Sequence, residues 1–378
     1  MVSAAPSMKP ASTLSRETSL YLDAVRFLAA LIVFLGHFAT QSISGGVFWQ
    51  LAPFRHDAVV VFFVLSGFVI AHAITHGERT ATDYIVNRAA RIYSVALPAI
   101  AITLGLDAIG GWIDPNYFGW SYAPGALWQQ ILTSLTFTNQ LWNWSLFPGS
   151  NGPYWSLGFE VPYYAIFGVA LFARGAWRIV LPLLMLAVAG PTIALLFPLW
   201  LVGVAIYRCR DWRLPEWAGW ILFLGSILAW VDIQTWAQGA GSWILHYDIP
   251  HVWRDRIPAD YVTGIAFAVN LFAFPAIAHR LGAALRFAAR PIRFLASGTF
   301  SLYLLHYPVM KFMVTILPGG PEAASTRIVT LAVTIVVAMV AAQLFERRKS
   351  GWRRFFAGVA EAGEGFLNHG RHRPVYEK

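Results

Sequence analysis

The chain has 378 residues, 57% hydrophobic and only 12% charged, with a mean hydropathy of +0.55. Soluble domains carry about 25% charged residues, so the composition excludes an ordinary globular domain and indicates an integral membrane protein. The net charge of +9 sits in short loops beside apolar runs, a sign of membrane topology rather than of nucleic-acid binding. The lone cysteine, Cys209, excludes a disulfide framework and a cysteine metal cluster.

Apolar runs of spanning character fall at roughly 21–41, 58–75, 90–110, 155–173, 178–190, 193–207, 217–233, 259–278, 297–317 and 327–345. The first follows Lys9 and Arg16 as a signal peptide would. It is too long for a signal h-region and carries three ionisable groups, so it reads as a retained helix. Those groups are Asp23, Arg26 and His37. At about 100° per residue, Arg26 and His37 lie roughly 20° apart around the helix and Asp23 about 40° from His37. One wall of the helix is therefore polar over most of a bilayer. Charge facing lipid costs several kcal/mol, so such a wall is expected to face a bundle interior or a wet cavity.

The second run places Ser66 and Gly67 mid-span, where close helix packing is the rival to a functional role for Ser66. The third opens with Arg88, Arg91 and Tyr93. Arginines at i and i+3 share a face, and with the helix N-terminal N–H groups they could clamp phosphate, or simply anchor the helix at the inner face. The 111–153 stretch is rich in Trp, Tyr, Asn and Gly. Its 126–142 part contains too many Gln, Ser and Thr residues for an eleventh span and is expected to be a short helical segment at the outer face. The fourth span begins with Trp155 and Ser156 and carries Glu160, one turn inside. A buried carboxylate needs a partner, and His37 or Arg26 is the economical expectation. The ninth span sets Tyr303 and His306 one turn apart near mid-membrane.

Lys/Arg bias puts both termini in the cytoplasm and leaves little beyond Arg55, Arg254, Arg256 and Arg327 outside. The expected fold is an all-α integral membrane protein of about ten transmembrane helices. A cytoplasmic segment at 1–20 and a basic cytoplasmic tail at 347–378 flank the membrane domain at 21–346. No HExxH motif or paired His/carboxylate spacing occurs, so no metal site is expected.

In order along the chain come Leu22-Asp23-x-x-Arg26 with His37, Phe62-Phe63-x-x-Ser66-Gly67-Phe68, Arg88-x-x-Arg91-Ile-Tyr93, Trp155-Ser156-Leu157-x-x-Glu160-x-x-Tyr163-Tyr164, Ser301-Leu-Tyr303-x-x-His306-x-Pro308 and Glu346. Together they resemble the acyltransferase 3 family of integral membrane O-acyltransferases, which modify glycans and some small molecules. The glycines usual after the first aspartate and arginine are replaced by Ala24 and Phe27, and Val161 and Arg347 also depart from the pattern.

The resemblance implies a bacterial inner-membrane enzyme that takes an acyl group, acetyl by expectation, from acyl-CoA as a donor substrate. No bound cofactor is implied. His37 is the expected general base, with Glu160, Arg26 and Asp23 around it, and Arg88, Arg91 and Tyr93 are expected to receive the donor. Ser66, Trp155, Ser156, Tyr303, His306 and Glu346 are candidates for contacting substrate or the oxyanion. The expected partners are the bilayer, acyl-CoA and a glycan or small-molecule alcohol. Homo-oligomerisation, the acyl group and a covalent acyl relay stay open. The competing reading is a transporter of a glycan or amphiphile whose intramembrane charges form a proton path; a membrane scaffold would leave those charges unexplained.

Overall fold

The structure, a computed structural model, describes residues 14–117, 126–142, 144–237 and 256–371, with side chains to 232 and 363 in the last two stretches. Lys9, Arg254 and parts of the expected N-terminal segment, outer-face segment and basic tail lie outside the described residues. The described residues form helices and turns, with no strand among them.

Ten helices coincide with the ten apolar runs. They are α1 (Arg16–Phe38), α3 (Arg55–His76), α4 (Ala81–Ile113), α6 (Leu157–Phe172), α7 (Trp177–Ala189), α8 (Pro191–Arg208), α9 (Glu216–Ala237), α10 (Ile257–Phe287), α12 (Thr299–Ile316) and α13 (Ala324–Leu344). Between or after them come α2 (Gln41–Ser44), α5 (Leu127–Thr136), α11 (Ala289–Ala296) and α14 (Lys349–Arg371). Among the described residues, seven helices are long and apolar enough to cross a membrane, and α7 is a shorter apolar one. The protein is an all-α integral membrane protein. α5 has 10 residues, half of what a span requires, which removes the eleventh-span alternative.

Local chemistry sets the breaks. Gly190 takes φ +96° and Pro191 opens α8, so the apolar stretch turns there instead of running on as one long helix. The Thr80 hydroxyl accepts from Asp83 N at 3.0 Å and starts α4.

The chain divides into two compact units. One comprises Met1–Val33, Pro53–Glu78 and Gly190–Ala296; the other comprises Phe34–Ala52, Arg79–Ala189 and Ser297–Lys378. In the first unit α9 packs on α10 and α3 on α8. The α3–α8 seam is tight because both helices present glycine. A Cβ on Gly67 would lie 2.0 Å from the Trp200 carbonyl oxygen, and one on Gly203 would lie 1.9 Å from that of Val64. Ser66 belongs to this seam, its Oγ accepting from the Trp200 indole N–H at 3.2 Å. Gly67→Ala must push the α3 and α8 backbones apart and is expected to cost about 2 kcal/mol. A thermal midpoint in detergent equal to the parent's would show the seam to be looser than this.

In the second unit α12 packs on α4 and α13, α6 on α7, and α14 on α4. This unit carries both His37 and His306 and most of the motif residues named above.

Candidate active site

His37 lies in the last turn of α1, half-buried, and His306 lies mid-way along α12, fully buried. The two rings hydrogen-bond, His306 Nε2 to His37 Nδ1, at 3.1 Å. The other nitrogen of His306, Nδ1, is 3.0 Å from the Leu302 carbonyl oxygen. A carbonyl can only accept, so His306 Nδ1 must carry a proton. In neutral His306, Nε2 is then an acceptor, and His37 Nδ1 must donate to it. The lone pair of His37 is thereby assigned to Nε2 by the network. Tyr307 packs edge-on to the His37 ring at 5.4 Å and Phe34 edge-on to His306 at 6.1 Å.

The carboxylate expected beside His37 is differently engaged. The Tyr164 hydroxyl donates to Glu160. Arg91 lies within electrostatic reach of Tyr164, Glu160 and Glu346. The hydrogen bond to the His37 ring comes instead from His306, a partner that sequence reasoning did not propose for it. Arg88 lies 5.9 Å from the ring centres of both Tyr84 and Tyr164.

These contacts correct the donor clamp as drawn from the sequence. The first amides of α4 are roughly 9 and 14 Å along the axis from Arg88 and Arg91, and Thr80 already caps Asp83 N. Helix terminus and guanidiniums therefore do not converge. Tyr93 donates its hydroxyl to Leu135 O at 2.8 Å, and its ring meets Phe137 edge-on at 5.3 Å and Phe356 at a tilt at 5.7 Å; it ties α5 and α14 to α4. Glu346 accepts from Ser301 N at 2.9 Å, Ser301 Oγ at 2.8 Å and Phe300 N at 3.3 Å. It caps the N-terminus of α12, where a carboxylate also complements the helix dipole.

Three more candidates meet at the start of α6. The Tyr303 hydroxyl lies 2.8 Å from Ser156 Oγ and 3.1 Å from Pro153 O. Its proton is committed to the short turn Gly152–Ser156 that leads into α6. Trp155 on that turn is half-buried and meets Phe159 edge-on at 5.4 Å.

A buried polar cluster escaped the reading of the sequence. Asp107 of α4 accepts from Ser150 N at 2.7 Å, Ser150 Oγ at 2.6 Å and the Tyr117 hydroxyl at 3.0 Å. Lys311 of α12, wholly buried, lies 4.4 Å from the Tyr117 ring centre. Asn151 Nδ2 donates to Thr103 Oγ1 at 3.1 Å and to Leu304 O at 2.8 Å. Gly149 sits at φ +54°, where a Cβ would lie 2.0 Å from Asp107 Oδ2. The 149–156 segment is thus bolted to α4 and to the helix that carries His306. A lysine inside the ninth apolar run was the available signal, and an aspartate near the end of the third was its counterpart.

In the other unit, Arg26 Nη1 pairs with Asp23 Oδ1 at 3.2 Å, as the i, i+3 spacing indicates. Both line a cavity of about 420 Å³ together with His72 and His76. The polar wall of α1 does face a cavity there.

A family model described as an acyltransferase domain matches residues 19–347. The chain belongs to the acyltransferase 3 family. Two curated relatives of this acyltransferase 3 chain are an O-acetyl transferase of Shigella phage Sf6, 28% identical over 156 residues (39% of this chain, 45% of the relative), and acyltransferase MdmB of Streptomyces mycarofaciens, 29% identical over 153 residues (39% and 37%). The matched part spans less than half the length of either relative. No solved structure matches.

Proposed function

We propose that the protein transfers an acyl group, acetyl in the first instance, from acyl-CoA to a hydroxyl of a carbohydrate or glycan-like acceptor. The observation that carries this reading is the hydrogen-bonded imidazole pair. The Leu302 carbonyl fixes His306, His306 fixes His37, and His37 presents a basic Nε2. That nitrogen takes the proton of an acceptor hydroxyl as its oxygen attacks the thioester carbonyl. The tetrahedral adduct collapses to ester, expels the CoA thiolate, and the proton passes from His37 to the sulfur. Base catalysis of this kind is worth about 10²–10⁴-fold. Arg88, flanked by two tyrosine rings, is the residue assigned to the donor phosphates. The Lys/Arg bias supports cytoplasmic termini, with the donor entering from inside; a bacterial inner membrane is the location proposed with the family.

Purified protein in proteoliposomes with labelled acetyl-CoA and an oligosaccharide acceptor tests the reaction. Protein-dependent ester formation is expected; vectorial movement of acceptor with intact donor would favour transport instead. A His306 series tests the relay. His306→Leu leaves His37 Nδ1–H without its acceptor and is expected to lose about 10²-fold, whereas the amide oxygen of His306→Gln can still accept and should retain several-fold more. Equal rates in the two variants would mean that His306 does not set the tautomer.

A further inference from the structure

The segment that follows the last span concentrates charge that the acyl-transfer reading does not use. Arg347, Arg348, Lys349, Arg353 and Arg354 fall between the end of α13 and the second turn of α14. Glu361 alone opposes them among the acidic side chains described beyond Glu346. α14 begins directly after the 3₁₀ turn Glu346–Arg348. Such a turn rises about 2 Å per residue, so α14 starts roughly 10 Å from the last residue of α13, at the level of the headgroup layer that flanks the hydrocarbon.

α14 is amphipathic about its axis. At about 100° per residue, Phe355 lies roughly 40° from Val359, and Trp352 and Phe356 lie within roughly 60° of it. Arg353 and Arg354 fall roughly 120° and 140° away from Val359. One edge of the apolar arc is already used. α14 packs on α4, where the Phe356 ring meets that of Tyr93 at 5.7 Å and lies against Trp352 at 6.3 Å. The other edge is open: Phe355 is 60% exposed and Val359 55%. Arg348, Arg353 and Arg354 are exposed as well. Two apolar side chains bordered by guanidiniums, at the level where a span leaves the bilayer, are complementary to acyl chains beneath and negative headgroups above.

We propose that α14 is an in-plane anchor that binds anionic phospholipid. Phe355 and Val359 enter the acyl-chain boundary, and Arg348, Arg353 and Arg354 hold the headgroup phosphates. Each cation near an anionic surface is worth about fivefold in partitioning, so the three together favour an anionic over a neutral leaflet by about a hundredfold. The inference concerns membrane contact alone, and is independent of the proposed reaction and of which leaflet α14 meets.

The test uses the full-length protein with Cys209→Ser and Val359→Cys, labelled at position 359 with an environment-sensitive fluorophore and set in nanodiscs at one copy per disc. Acrylamide, a neutral aqueous quencher, reports whether the label is buried. In phosphatidylcholine mixed with phosphatidylglycerol the label is expected to be quenched several-fold less than in phosphatidylcholine alone. Molar salt should remove most of that difference, because it screens the headgroup charge. The exposed α7 position Val188, labelled in the same way, should show no dependence on lipid charge. Arg348→Gln, Arg353→Gln and Arg354→Gln together should return quenching at position 359 to its level in the neutral disc, in protein that still elutes as the parent does. Equal quenching in the two lipids overturns the proposal, whether the label is exposed in both or protected in both. Quenching unchanged by the arginine substitutions and by salt overturns it too. Protection that appears only in discs holding two copies would give this face to a second copy of the chain instead.

Discussion

His37→Ala is expected to lower acyl transfer by about 10²–10⁴-fold while the protein still inserts and folds. The imidazole is half-buried at the end of α1, and its removal deletes one hydrogen bond to His306 and an edge contact with Tyr307. Those losses are worth about 1–2 kcal/mol of stability, too little to unfold a membrane bundle. Loss of the proton acceptor, by contrast, stops the chemical step. The alanine also leaves a ring-sized space beside His306, so added imidazole should restore part of the rate in this variant and none in the parent. Near-parental transfer by a well-folded His37→Ala protein would end the general-base assignment. A lost rate with an intact thermal midpoint and imidazole rescue would carry it.

The architecture was legible because a bilayer makes it so: long apolar runs must be helices, since no other open backbone satisfies its own hydrogen bonds in lipid. Each of the ten runs became a helix, and the Gln- and Thr-rich 126–142 stretch yielded only the 10-residue α5. Candidate residues were legible for the same reason, because an ionisable group inside an apolar run needs an explanation. Their partners were not. His37 and His306 are 269 residues apart in the chain, and no periodicity within one helix reveals which turn of another it faces. Glu160 illustrates the limit: the sequence showed that it needed a partner and pointed to an imidazole or Arg26, and the Tyr164 hydroxyl donates to it. For Glu346 the sequence offered a place in a family-like pattern but no sign that its oxygens cap the backbone at Phe300 and Ser301.

The two arginines of the third span, equivalent by spacing, are expected to differ sharply on mutation. Arg91 shares its surroundings with Glu160 and Glu346, which belong to α6 and to the turn after α13. Arg91→Ala takes the cation away from those half-buried carboxylates. Removing a nearby cation of this kind costs about 1–2 kcal/mol at the effective dielectric of a protein. Glu346 would then hold the start of α12 less firmly, and α12 carries His306. The expected result is a lowered thermal midpoint and a loss of kcat at all donor concentrations. Arg88 sits between two tyrosine rings, contacts worth about 0.5–1 kcal/mol each. Arg88→Ala should therefore stay near the parent midpoint and raise the donor KM about tenfold, as for a lost charged hydrogen bond to phosphate. Thermal midpoints with donor-dependence of the rate, measured on both variants, decide the matter. If Arg91→Ala proves stable and alters KM alone, the two residues form one clamp after all, and the electrostatic account of Arg91 fails.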